Sequence, residues 1–285
     1  MTFTKIYEEK FMRFPEGKCK AATFSYDDGV EADRRLIKVF DKYGMRATFN
    51  LNSELFDAKQ WNRRMDEETV FETFAGSRHE IAMHGARHIF LDRVPLPEAI
   101  NEVLKNRVYL ENKFNRVVRG LAYAYGAYNG DILGAIKSLG VLYARTTKST
   151  HNFSIPRNML ELNPTCHHNE ECLLPLLDRF VNDSPLNMPK ERDSWLLYIW
   201  GHSYEFDNDN NWELIEDVCD RLSQNSKDIW FATNGEICDY INAYKNLVFS
   251  LDGERCFNPS YMGVWLEIRG KIYRIGAGEE VVFDK

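Results

Sequence analysis

Thr23-Phe24-Ser25-Tyr26-Asp27-Asp28-Gly29 decides how this chain is read. An apolar strand, Cys19 to Phe24, runs into two adjacent carboxylates and a glycine, and a helical pattern begins within a few residues. Side-by-side carboxylates at a strand end repel each other, and burying that repulsion is costly unless a cation sits there. The competing reading is an ordinary helix N-cap, since Asp is favoured at the positive end of a helix dipole. The segments that follow favour a metal site.

Outward from this stretch, strands and helices alternate. Glu31 to Tyr43 has a helical apolar face (Leu36, Ile37, Phe40) and Gly44 as its stop. The spacing predicts strands over Ala47–Leu51, Glu80–Met83, Val117–Tyr125, Val141–Ala144, Trp195–Trp200 and Ile229–Phe231. It predicts helices over Asp66–Phe74, Pro97–Phe114, Ile132–Leu139, Cys172–Val181, Trp212–Leu222 and Glu236–Lys245. In the long Pro97–Phe114 helix, Ile100, Val103, Leu104 and Val108 mark the expected buried face. Such alternation means parallel strands with covering helices, and catalytic groups at the C-terminal rim. Asn182 to Asp193 is polar and reads as a mobile loop. From Leu247 the pattern changes to short strands (Val248–Leu251, Gly263–Ile268, Lys271–Ile275, Val281–Phe283) joined by Gly-rich turns. Two units are expected: residues 1–246 as an α/β domain and 247–285 as a small β appendage.

Composition narrows the function. With 285 residues and 44% hydrophobic content, the chain can bury a sizeable core. Its net charge of −7 argues against a nucleic-acid surface. No apolar run is long enough to span a bilayer. Met1 to Lys18 is polar and has no signal-peptide core, so a cytoplasmic protein is expected. The six cysteines form no C-x-x-C pair and read as reduced thiols.

Three further elements carry chemistry. In His84-Gly85-Ala86-Arg87-His88, histidines at i and i+4 would share one face of a helical turn and could meet one cation. Two histidines and a carboxylate leave coordination positions open, as in a catalytic zinc site. Arg119 to Asn129 is an aromatic strand ending in a glycine turn, suited to stacking on sugar faces and to holding an oxyanion through backbone N–H groups. Core packing of Tyr123 and Tyr125 is the plainer alternative. Leu196 to Ser203 delivers His202 to the end of a buried strand, where it could act as general acid or base. Tyr123, Arg145 and Trp200 are candidate substrate contacts. His167-His168 is also weighed; adjacent side chains diverge, so a shared metal is not expected there.

The order of these elements resembles the polysaccharide deacetylases, carbohydrate esterases related to chitin-oligosaccharide and peptidoglycan deacetylases. The resemblance runs from about Cys19 to Tyr240. It implies a distorted (β/α) barrel of about seven parallel strands and a divalent metal, zinc first, with Co2+, Ni2+ or Mn2+ as other occupants. It implies that Asp27 is the general base, that Asp28, His84 and His88 are the ligands, that the Tyr125 N–H holds the oxyanion, and that His202 is the general acid. The implied reaction is removal of an acetyl group from a sugar or oligosaccharide, N-acetyl ahead of O-acetyl. A non-catalytic sugar-binding barrel and a hydrolase of a non-sugar amide are the alternatives.

The match has departures. Gly85 stands where the family often has Ser or Thr. Ala122, Tyr123 and Ala124 occupy positions where the family carries an arginine that orients the base, with prolines after it; Arg119 and Arg145 are the candidates for that job. No Asp–Trp segment supports the acid, and Glu205 and Asp207 are the nearest substitutes.

Overall fold

The strand β2 (Lys20–Asp27), buried along its whole length, is the axis of the molecule. The computed structural model describes residues 9–56, 63–187 and 192–284. Elements are numbered from β1 (Lys10–Arg13) in chain order. On one side β2 pairs in parallel with β3 (Ala47–Leu51), then β4 (Glu80–Met83), β5 (Gly120–Ala122) and β6 (Tyr143–Arg145). On the other side it pairs with β8 (Trp195–Gly201), which carries β7 (Cys166–His167). β9 (Ile229–Phe231) adds to the first residues of β2. The two edges of this seven-strand path approach each other, since Arg145 bridges Leu162 in parallel and the chain from Leu162 runs into β7. The sheet is therefore curled, as the family resemblance implies; the alternation alone left an open sheet equally possible.

Helices follow the strands. α1 (Asp33–Tyr43), α2 (Glu67–Ala75), α3 (Leu96–Phe114) and α4 (Gly130–Ser138) come after β2 to β5. α5 (Leu173–Asn182) follows β7, α6 (Tyr204–Asn208) and α7 (Trp212–Gln224) follow β8, and α8 (Asn234–Lys245) follows β9. Among the described residues no helix is long and apolar enough to cross a membrane.

Alternation along each strand sorts its side chains into two layers. Outward, Phe24 and Tyr26 meet Phe40 of α1, and Phe49 meets Phe74 of α2. Inward, the strands are polar. Thr23 donates to Asn234 at 2.9 Å, Asn234 donates to the Tyr198 hydroxyl at 2.7 Å, and Thr48 donates to Glu80 at 2.8 Å. The first turn of α8, closed by a Thr233–Glu236 capping box, fills this lower end of the barrel. The same inward parity carries Asp27, Asn50, His84, Arg145 and His202 to the upper rim.

Three expectations change. The buried face of α3 is Ala99, Glu102, Val103, Asn106 and Leu110, while Leu104 and Val108 are exposed. Val117–Tyr125 is strand only at Gly120–Ala122, because Ala124–Gly126 turns in a 3-10 helix with Tyr125 at φ 58°. The tail is two small antiparallel sheets. One is β10 (Val248–Phe249), β11 (Arg255–Phe257) and β14 (Glu280–Val282); in the other, β12 (Val264–Ile268) lies between β13 (Lys271–Ile275) and β1, from ahead of the barrel. Arg13 of β1 is buried against Glu267 of β12 at 3.0 Å. Of the loop expected over Asn182 to Asp193, Pro185–Asn187 is a 3-10 turn and residues 188–191 lie outside the described residues, as do residues 1–8. The six cysteines are free thiols.

Candidate active site

At the end of β2 each carboxylate has its own buried arginine. Asp27 accepts from Asn50 Nδ2 at 2.8 Å through Oδ1 and from Arg145 through Oδ2. Burial works to raise the Asp27 pKa, but the Arg145 guanidinium, with help from His84, His202 and Asn50, holds it at about 2. Arg145 is itself fully buried and lies over the Trp200 ring at 4.4 Å. Asp28 sits at φ 90°, where L residues are rare, and its amide donates to Asn50 O at 2.9 Å. Arg64 donates to Asp28 Oδ1 at 2.8 Å, to the Asp28 carbonyl at 2.5 Å and to Asn52 Oδ1 at 2.8 Å.

The histidine segment after β4 is not the helical turn that its spacing suggests. Gly85 at φ 79° and His88 at φ 57° fold it into an irregular loop. The rings converge all the same, with 3.1 Å between His84 Nε2 and His88 Nε2. Asp28 Oδ1 lies 3.9 and 3.8 Å from them, respectively. The loop is braced from three sides. Asn52 donates to the carbonyls of His84 and Gly85 at 2.7 and 2.9 Å. Asn106 accepts the His84 amide at 3.0 Å. Glu102 accepts the Arg87 amide and side chain at 2.5 and 3.0 Å. A Cβ at Gly85 would stand 3.2 Å from Glu102, so the brace occupies the room that a Ser or Thr would need.

His84 donates from Nδ1 to the Ala122 carbonyl at 2.9 Å, which leaves its Nε2 lone pair facing His88. Burial lowers the pKa of His84, and burial plus His84 itself brings His88 down to about 4. Two neutral imidazoles and a carboxylate oxygen at these separations are a donor set that fits zinc or a similar divalent ion.

On the far side, His202 Nε2 is 3.9 Å from Asp27 Oδ2. Its Nδ1 lies 3.3 Å from Glu205 Oε1, and its amide donates to Glu205 Oε2 at 3.0 Å. Burial disfavours the His202 cation, yet Glu205 and the rim aspartates outweigh burial and raise its pKa. Asp207 faces elsewhere, accepting from Trp212 Nε1 at 2.8 Å, so Glu205 is the carboxylate beside the acid candidate. Arg119 likewise is committed at the surface to Asp239, at 2.9 and 2.7 Å, which leaves Arg145 as the arginine on Asp27.

His167 and His168 do not diverge as expected: both Nε2 atoms lie 3.2 Å from Glu205 Oε2. His167 accepts the Asn169 amide on Nδ1 at 3.1 Å, so its Nε2 carries the proton and offers it to Glu205. That makes His167 a donor to the carboxylate, unlike the lone-pair arrangement at His84. His168 is stacked between Tyr26 and Phe206, away from solvent. Asp33 accepts from the Ser203 hydroxyl at 2.5 Å and the Val30 amide at 3.0 Å, tying the His202 loop to the Asp28 loop. Burial pushes its pKa up to about 7.

Of the aromatic candidates, Tyr125 is 48% exposed, stacked on Phe90 at 3.9 Å and edge-on to His88 at 4.4 Å. The substrate role expected of Tyr123 is corrected. Its ring is fully buried and its hydroxyl donates to the Leu160 carbonyl at 3.0 Å, so it packs the wall instead. Trp200 is mostly covered by Arg145 and His167. Arg64, Asn50, Asn52, Glu102 and Asn106 were not singled out by sequence. Glu102 and Asn106 had a usable signal, because with Ala99, Val103 and Leu110 they complete a helical stripe; Arg64, in irregular chain, had none.

Residues 14–144 match the family model for polysaccharide deacetylase. A solved Mycobacterium smegmatis protein assigned to the polysaccharide deacetylases is 16% identical, with 85% of this chain and 96% of that one covered and a TM-score of 0.60. A mutant of BA3943 from Bacillus anthracis, described as a CE4 family pseudoenzyme, is 13% identical over 80% of this chain and 70% of that one, with a TM-score of 0.51. The Streptococcus pyogenes deacetylase PplD, solved in complex with acetate, is 20% identical over 49% of this chain and 61% of that one, with a TM-score of 0.44. No curated protein matches the sequence.

Proposed function

We propose that this chain, whose residues 14–144 match the model for the polysaccharide deacetylases, a family of metal-dependent carbohydrate deacetylases, hydrolyses the acetamide of an acetylated sugar or oligosaccharide. The observation that carries this reading is the convergence of Asp28 Oδ1, His84 Nε2 and His88 Nε2 beside Asp27 and His202 on one rim. Asp28, His84 and His88 would hold a divalent ion, zinc first, which when bound would polarise a carbonyl and make water more acidic.

The residues divide the proton transfers. Asp27, kept ionised and aimed by Arg145 and Asn50, receives the proton of the attacking water. The Tyr125 backbone N–H supports the developing oxyanion at the turn. His202, whose affinity for protons is raised beside Glu205, hands a proton to the departing nitrogen. An amine needs that proton before it can leave, whereas an alkoxide needs it less, so a histidine backed by Glu205 at this position suits an amide.

The test joins metal analysis to acetate release. Wild type should carry about one divalent ion per chain, by the three-ligand logic of open zinc sites, and release acetate from some member of a panel of N-acetylated sugars. Asp28→Ala and His84→Ala should lose both. Undiminished metal in the two variants would overturn the ligand set. Metal and sugar binding without acetate release would make the chain a non-catalytic barrel, and release from non-sugar acetamides alone would redirect the substrate class.

A further inference from the structure

A ligand carboxylate is ordinarily expected to meet its metal unopposed by positive charge. Asp28 is not so placed. The Arg64 side chain, only 5% exposed, donates to Asp28 Oδ1, the same oxygen that faces His84 Nε2 and His88 Nε2. We propose that Arg64 sets how tightly the Asp28–His84–His88 site holds its ion, by fixing a permanent positive charge on one ligand. This rests on the ligand reading above and concerns its strength.

Three features make the charge unavoidable. A guanidinium does not lose its proton under ordinary conditions. Asn52 Oδ1 and the Asp28 carbonyl hold the other arm, so the group cannot swing aside to admit an ion. The surroundings are buried, where like charges a few ångströms apart repel strongly. Arg145 treats Asp27 in the same way, so two arginines already balance two aspartates on this rim. A divalent cation therefore joins a centre that is close to neutral, and Asp28 is satisfied before it arrives. The expected result is a readily exchanged ion on a site that stays folded without it.

Charge and bracing can be separated, because Arg64→Gln keeps a hydrogen-bond donor and removes the charge, whereas Arg64→Lys keeps the charge and loses the fork. Zinc affinity is read by competition with a chromophoric chelator at fixed ionic strength, with no assay of activity. Arg64→Gln should bind zinc more tightly than wild type by at least about tenfold, since a buried opposing charge is removed. Arg64→Lys should stay within roughly threefold of wild type, because the charge remains. Equal or weaker binding by Arg64→Gln overturns the proposal and identifies Arg64 as a brace. Arg64→Met, which fills the buried space without charge, is measured alongside, and failure of both uncharged variants to fold also overturns it. Asp28→Ala separates the two levels. If it binds zinc as wild type does, the ligand set is wrong; if it loses zinc while Arg64→Gln gains nothing, only the role of Arg64 falls.

Discussion

The two ends of the barrel interior both hold carboxylates, and they treat them in opposite ways. At the lower end Glu80 is partly exposed as a residue, but its carboxylate is crowded by Thr48, Gly235 and Tyr143, and desolvation raises its pKa. Its close partners are neutral: the Thr48 hydroxyl and the Gly235 amide, each at 2.8 Å. At the upper rim Asp27 is more deeply buried, yet its pKa is brought down to about 2, because Arg145 overrides burial. Burial alone would order the two acids the wrong way round. What distinguishes the carboxylate proposed as the base from the one at the lower end is the charge of its partners and the lone pairs nearby. Both occupy the same inward parity, so no periodicity separates them.

Asp27→Asn presses hardest on this contrast. It should keep the metal, because Asp28 and the histidines are untouched, and lower acetate release by about 10²–10⁴, the usual range for losing acid–base help. It should also cost stability at neutral pH by leaving Arg145 buried without its anion. The sign follows from the depressed pKa: wild type gains stability from Asp27 above the unfolded value near 3.9 and loses it as pH falls through about 2. The gap between wild type and variant in urea unfolding should therefore close in strong acid. Loss of the metal along with turnover would instead count Asp27 among the ligands.

How much of this was legible beforehand follows from the range of each interaction. Asp27, Asp28, His84 and His202 end strands with strong apolar patterns, and a local pattern is enough to put them on one rim. Arg145 reaches Asp27 across the curl of the sheet from β6, so sequence could not choose it over Arg119. The face of α3 was misread because Glu102 and Asn106 use buried positions to hold the histidine loop, which looks polar and therefore exposed in sequence. The pairing of β1 with β12 joins the two ends of the described chain, beyond any local signal.

A smaller effect is expected at Glu205, which plays for His202 the part that Arg145 plays for Asp27. Glu205→Gln removes the anion that offsets burial, so the His202 pKa should fall. Because the native pKa is raised, the cation contributes stability below the unfolded value near 6.5 and loses it as pH climbs through the native value. In the variant, the alkaline limb of amide hydrolysis should move to lower pH, and the His202 ring signals should titrate earlier by NMR. An unmoved limb would assign the supporting charge elsewhere.

The smallest effect belongs to the lower end, where Glu80→Gln tests whether that carboxylate is as passive as its neutral partners suggest. Gln keeps a carbonyl oxygen for the Thr48 hydroxyl and the Gly235 amide, and its amide group can face the Tyr143 hydroxyl beside it. Turnover and metal content should not change, and stability near pH 5 should stay within about 1 kcal/mol of wild type, as for a change that leaves the bonds in place. The pH trend should run opposite to that of Asp27. Glu80 has a raised native pKa, so its contribution is complete below the unfolded value near 4.3 and is lost as pH rises through the native one. Wild type bears the cost of ionising a crowded carboxylate once pH passes its native pKa, and the Gln variant does not. Relative to wild type, Glu80→Gln should therefore gain stability in chemical denaturation as pH rises from the unfolded value near 4.3 through the raised native one. A deficit that grows with pH would mean that Glu80 works as a charged partner, and the contrast between the two ends would fail.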